Sequence, residues 1–147
     1  MAALADTQQR FSTAWESFFR TTRRLRARSG RLPGALTLPQ YHLLESLRAT
    51  PELPVGELAD RAGVAAPTAT RMLDCLARDG YVERRHSETD RRSVLVSLTA
   101  DGERAVEQAQ ETIEAWRRQV FETLEPAERE PAARLLERLS QIMEGQL

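Results

Sequence analysis

The sequence predicts a mainly α (α+β) chain with one small β-hairpin set in its middle. Three observations lead there. Apolar residues recur at three- and four-residue spacing through most of the 147 positions. One short stretch alternates instead, with Val94, Val96 and Leu98 set against Ser93, Leu95 and Ser97, as a half-buried strand requires. Gly63 and Gly80 punctuate two short helical patterns just before that stretch, where a turn and a left-handed helix cap are wanted.

Taken in order, residues 4–28 read as a long helix. Leu4, Gln8, Phe11, Trp15, Phe18, Thr22 and Leu25 form a seam with a period near 3.5. SGRLPGAL (29–36) breaks it. Thr37 and Gln40 have the spacing of a capping box and open a second helix through about Arg48. ATPELP separates that from a short helix, Val55 to Ala62, with Val55, Leu58, Ala59 and Ala62 on its apolar face. After the Ala62-Gly63-Val64 turn, a further helix runs from about Pro67 to Asp79. Two β segments follow, about 81–85 and 93–98, joined by a charged loop from His86 to Arg92. Thr99 then caps a long helix, with Asp101 and Glu103 favourably placed in its first turn and Ala105, Ala109, Ile113, Trp116, Val120 and Leu124 along its stripe. Pro126 opens a last helix carrying Ala132, Leu135, Leu136, Leu139, Ile142 and Met143; Pro131 predicts a late start or a kink.

Composition narrows the function. At 41% hydrophobic and 29% charged the chain is an ordinary globular one. At this length it can bury roughly 70% of its unfolded surface, enough for a core without disulfides. One cysteine and two histidines argue against a disulfide framework or a zinc site, so no metal and no cofactor are expected. No apolar run reaches membrane-span length and the first ten residues do not resemble a signal peptide, so no membrane partner and a cytoplasmic location are expected. There is no Gly-rich phosphate loop, HExxH, G-x-S-x-G or believable nucleophile–base spacing, so the chain reads as no enzyme and has no catalytic residues. The net charge of −1 hides an asymmetry. Residues 10–31 carry a net +6, residues 61–92 a net +2, and residues 101–147 a net −5. All 21 cations are arginine, which codon usage explains without appeal to function.

Two helices joined by a Gly turn, followed by a hairpin with a basic loop, form a winged helix-turn-helix spanning about 37–99. On the second of these helices, steps of 100° put Ala69, Met72, Leu73 and Leu76 on the core side. Pro67, Arg71, Asp74 and Arg78 lie opposite, flanked by Thr68, Thr70 and Cys75. Small residues first and a guanidinium one turn in suit a helix whose backbone approaches a major groove while a forked donor reaches a base edge. Asp74 can pair with Arg71 or with Arg78 and orient them. In the loop RRHSETDRR, Arg84 to Arg92, an arginine at the tip can enter a minor groove, and Asp90 can brace the Arg92 guanidinium. Of Arg84 and Arg85, one is expected to pair with Glu83 or Glu88 and the other to reach a phosphate.

Residues 57–102 resemble the core of the MarR family of bacterial transcription regulators. The resemblance rests on Leu58-Ala59, the Thr68 to Arg71 stretch, Leu76, Gly80, Asp90-Arg91-Arg92, and Leu98-Thr99-Ala100-Asp101-Gly102. The flanking helices fit the family layout, so it covers nearly the whole chain as a single domain, 1–147. One departure is Ala65-Ala66-Pro67, which has no Ser or Thr to cap the recognition helix, at a cost of about 1 kcal/mol. The resemblance implies a homodimer made by the terminal helices (about 4–36 and 100–147). It implies major-groove reading by residues 67–78 and minor-groove reading by Arg92. For many members it also implies release from DNA by a small aromatic or lipophilic ligand, or by cysteine oxidation.

The expected partner is therefore a pseudo-palindromic double-stranded DNA operator, and the expected role that of a repressor. The DNA-binding residues expected are Pro67, Thr68, Thr70, Arg71, Arg78, Arg84, Arg85, Asp90, Arg91 and Arg92. Phe11, Phe18, Trp116, Val120, Leu135, Leu139 and Ile142 are expected in the dimer seam. Trp15, Tyr41 and His42 are expected beside a phenolic or lipophilic effector, with Trp116 a further candidate. Arg23, Arg24 and Arg26 are candidates for added phosphate contacts. Cys75, the only thiol, reads as a packing residue. The competing function is a winged-helix protein-interaction module without ligand response; an arginine in both the groove-facing helix and the loop tip argues against it.

Overall fold

The computed structural model describes every residue except 1, 29, 31, 33, 34, 89, 91 and 147. It divides into two compact units, 1–109 and 110–147. In the first, α1 (Ala2–Arg28) precedes α2 (Leu38–Leu44), α3 (Ser46–Ala49), β1 (Glu52–Pro54), α4 (Val55–Ala62), α5 (Ala66–Arg78), β2 (Val82–His86) and β3 (Val94–Leu98). The long α6 (Ala100–Thr123) begins in the first unit and continues into the second, which α7 (Pro126–Glu144) completes.

The local signals act as read from the sequence. The Thr37 N–H donates to Gln40 Oε1 at 2.8 Å and the Gln40 N–H to Thr37 Oγ1 at 3.4 Å, closing the capping box. Gly63 (φ 62°) takes the left-handed conformation, with its N–H on the Asp60 carbonyl and that of Val64 on the Ala59 carbonyl. Gly80 (φ 82°) repeats the device after α5, with the Gly80 N–H on Ala77 and the Tyr81 N–H on Leu76. As the Ala65-Ala66-Pro67 sequence requires, α5 has no side-chain cap.

Four expectations need correction. The second helix breaks at Glu45 into α2 and α3 rather than running unbroken to Arg48. ATPELP contains a strand: β1 pairs antiparallel with β3 and makes the sheet three-stranded, in the order β1-β3-β2. Its three residues end on Pro54, which is tolerated because an edge strand can spare a ladder N–H. The strands of the hairpin are Val82–His86 and Val94–Leu98, one residue later than expected for the first. Finally, α7 starts without delay at Pro126 and holds Pro131 inside it. The Glu125 N–H donates to Glu128 Oε2 at 3.0 Å and closes the first turn, while Pro131, in the second turn, leaves one helix bond unmade.

The core of the first unit is aliphatic. Leu43, Leu44 and Leu47 of α2 and α3, Leu58 and Ala59 of α4, Ala69, Leu73 and Leu76 of α5, and Leu53, Val82 and Val96 of the sheet are all buried. In α6, Ala105, Val106, Ala109 and Ile113 are buried, whereas Trp116 and Val120 are about half exposed at 52% and 47%. Along α1 the rings of Phe11, Trp15 and Phe19 follow one another at centroid distances of 5.7 and 4.7 Å. In the second unit the Arg129 guanidinium lies 5.0 Å from the Phe121 ring centre and also donates to the Leu124 and Glu122 carbonyls, closing the turn between α6 and α7.

Candidate nucleic-acid interface

Helix α5 buries one face and exposes the other. Ala69, Leu73 and Leu76 are wholly inaccessible, while Pro67, Thr70, Arg71, Asp74 and Arg78 are exposed and Thr68 and Cys75 half-buried. This is the division that the 100° placement predicts, except that Met72, expected on the core side, is only half-buried and lines an open cleft beside Arg71 and Cys75. The helix is therefore held by its leucines against α4 and the sheet.

The arginines around it divide into two kinds. Arg84, on β2, sits opposite Val96 on the sheet face that carries the buried Val82, so its side chain runs toward α5. There Nη1 donates to Asp74 Oδ1 at 2.7 Å and Nη2 to the Thr70 carbonyl at 3.2 Å. Arg85 lies on the opposite sheet face and reaches across β3 to β1, where Nε and Nη2 donate to the two oxygens of Glu52 at 2.6 and 2.5 Å. This forked pair holds the Glu52 carboxyl below its ordinary value near 4.5, chiefly through the side-chain hydrogen bond, and raises Arg85. Both pairings differ from the expected ones. Glu52, supplied by the strand that the sequence did not announce, takes the Arg85 fork, and Glu88 acts on Arg85 only as a nearby charge. Asp74 accepts from Arg84 rather than from Arg71 or Arg78, and Arg78 donates instead to Cys75 Sγ at 3.3 Å.

Arg71 and Arg92 are of the second kind. Both are exposed, and among the described residues neither guanidinium has a hydrogen-bond or ion-pair partner. The wing between β2 and β3 is closed by Ser87 N–H on the Ser93 carbonyl and Ser93 N–H on the Asp90 carbonyl. The Asp90 carboxylate accepts the backbone N–H of Arg92 at 2.9 Å, so it shapes the loop rather than bracing the guanidinium as expected. Arg91 lies outside the described residues.

The remaining candidates are more scattered. Tyr41 is buried in α2 and its ring meets that of His42 edge-on at 5.4 Å. Nδ1 of His42 lies 3.3 Å from Glu45 Oε1. Trp15 belongs to the aromatic row on α1. An open cleft of about 340 Å³ lies between the start of α2 and α5, lined by Thr37, Pro39, Gln40, Thr68, Arg71, Met72 and Cys75; Trp15, Tyr41 and His42 are not among its walls. Phe11, Phe18, Leu135 and Ile142 are each at least half exposed, and Leu139 is half-buried. Among the described residues no group of His, Cys, Asp and Glu could hold a metal ion, and no helix is long and apolar enough to cross a membrane.

Comparison with known proteins places this geometry. The sequence profile described as "MarR family" matches residues 36–94. The HTH-type transcriptional regulator YfiV of Bacillus subtilis is 32% identical over 110 residues, covering 75% of this chain and 69% of that protein. The chain belongs to the MarR family. Among solved MarR-fold structures, Streptococcus pneumoniae FabT in complex with DNA superposes with a TM-score of 0.76, at 23% identity over 95% of this chain and 99% of that one. Bordetella bronchiseptica BpsR, whose structure concerns regulation of DNA binding by 6-hydroxynicotinic acid, has a TM-score of 0.71 and 26% identity over 87% of this chain and 98% of that one. The MarR relatives are transcriptional regulators, and the chain is one of this family of winged helices rather than an enzyme.

The MarR motif Leu98-Thr99-x-x-Gly102 has a visible cause. Thr99 Oγ1 accepts the Gly102 N–H at 3.0 Å and donates to the Gly80 carbonyl at 2.6 Å. Gly102 is buried, and a Cβ there would collide with the Tyr81 carbonyl oxygen. Sequence reading found the cap but missed Glu52 and the role of Asp74. Only the sheet order brings Glu52 to Arg85 across 33 residues, and no spacing rule contains it.

Proposed function

We propose that this MarR-family chain is a homodimeric, sequence-specific regulator of transcription, a repressor that binds double-stranded DNA and leaves it when a small aromatic or lipophilic ligand binds. The observation that carries the DNA reading is the contrast among the arginines. Arg84 and Arg85 are engaged within the protein, while Arg71 on α5 and Arg92 on the wing are exposed with no described partner. A guanidinium without an internal partner is available to a base edge or to a narrow minor groove. Pro67, Thr68 and Thr70 flank Arg71, and in this reading they and Arg91 complete the contact surface.

Dimer formation is supported by the exposed apolar residues on both terminal regions, Phe11 and Phe18 on α1 and Trp116, Val120, Leu135 and Ile142 on α6 and α7. A lone soluble chain rarely exposes so many large apolar side chains. Two copies of α5 would then meet half-sites about 10 bp apart. Binding of the protein to duplexes from its own upstream region, followed by footprinting, tests this. Two symmetric half-sites are expected; a single asymmetric half-site bound by one chain contradicts it.

The effector reading is supported by BpsR, a relative whose DNA binding is regulated by a hydroxylated pyridine carboxylic acid. Here the effector would sit beside Trp15, Tyr41 and His42. Thermal-shift measurements with 6-hydroxynicotinic acid and simple phenolic acids, paired with operator release, test it. A compound that raises the melting temperature and releases DNA supports the reading; stabilisation without release by every compound contradicts it.

A further inference from the structure

We infer that Arg84 and Asp74 act together as a positioning clamp that fixes the recognition helix against the wing. This inference rests on the proposed DNA binding and assigns neither residue a contact with DNA. The two oppositely charged groups come from different elements, ten residues apart, and meet at 2.7 Å, while the second arm of the same guanidinium holds the Thr70 carbonyl on α5 at 3.2 Å. Thr70 lies directly before Arg71 and sends its own hydroxyl to the Ala66 carbonyl at 3.0 Å, within the first turn of α5. One planar fork from the wing strand therefore grips the groove-facing helix at two points, on either side of Arg71. A lysine could not do so, since it lacks the second, fixed donor direction.

The arrangement also explains an acid on a surface meant for phosphates. Unpaired, the Asp74 carboxylate would repel DNA. Paired with Arg84, which is about one quarter exposed, its charge is offset and serves alignment of the two reading elements.

The clamp makes a prediction opposite in sign to simple electrostatics. Operator affinity and its salt dependence are measured for the wild type, Asp74→Asn, Arg84→Gln and the double variant, with melting curves to verify that each remains folded. Removing an anion from a DNA-facing helix should tighten binding if charge alone matters. The clamp predicts that Asp74→Asn weakens operator binding by about fivefold, the upper range for an exposed pair. Arg84→Gln should weaken it similarly with the salt slope unchanged, and the double variant should be no worse than either single one. Tighter or unchanged binding by Asp74→Asn, additive losses, or a slope reduced by about 0.9 per protomer in Arg84→Gln overturns the clamp; the last would make Arg84 a phosphate contact. If the wild type binds no duplex at all, the DNA reading itself fails and the clamp with it, an outcome distinct from wild-type binding with an indifferent Asp74→Asn.

Discussion

The hydroxyl of Thr99 donates to the carbonyl of Gly80 at 2.6 Å, tying the end of the recognition helix to the start of α6. The same oxygen caps α6 through the Gly102 N–H. Any shift of α6 therefore has a direct route to the turn that ends α5.

Replacing Thr99 by Val keeps the shape and removes both bonds. Loss of a cap and of a carbonyl partner should destabilise the protein by about 1–2 kcal/mol. Gly102→Ala should cost more, about 1–3 kcal/mol for overpacking, because the obstructing atom belongs to the backbone and cannot rotate away. Urea denaturation of both variants checks the order.

The Glu52–Arg85 pair gives a pH signature. Its folded carboxyl lies below the ordinary value near 4.5, so its contribution is fully present above that pH. The contribution is lost as pH falls through the lowered folded value. The melting-temperature difference between wild type and Glu52→Gln should therefore be largest above pH 4.5 and shrink toward zero in stronger acid. A difference that grows on acidification contradicts the pairing. The pair is exposed, so the effect is small and reduced by salt.

The apolar terminal faces predict association. Trp116→Glu combined with Leu135→Glu should raise the dimer dissociation constant by roughly 30-fold or more, as expected for central interface anchors. Sedimentation equilibrium reads this directly, and a wild type that is monomeric at micromolar concentration contradicts the dimer.

Much of the fold was legible because its signals are local. The Thr37–Gln40 box, the glycine caps and the alternation of Val94, Val96 and Leu98 all act within six residues. The outward face of α5 followed from its periodicity alone. What was hidden is non-local. Strand β1 is three residues long and ends on a proline, too short to show alternation. The partner of Arg85 lies on that strand, and the partner of Arg84 lies one element back. Charged residues on a surface have several acids within reach in sequence, and only the register of the sheet chooses among them. Arg71 and Arg92 stood out in the sequence by position, but that neither has a partner among the described residues is a property of the folded chain.

The central claim is that Arg71 and Arg92 together read a duplex. The most direct measurement is fluorescence anisotropy of the wild type and of Arg71→Ala/Arg92→Ala on a duplex from the protein's own upstream region, at fixed salt. Discrimination over random DNA should fall at least about fivefold in the double variant, as loss of one good base contact of about 1–3 kcal/mol implies, with the melting temperature unchanged. Equal affinity and equal discrimination in the two proteins would contradict the account.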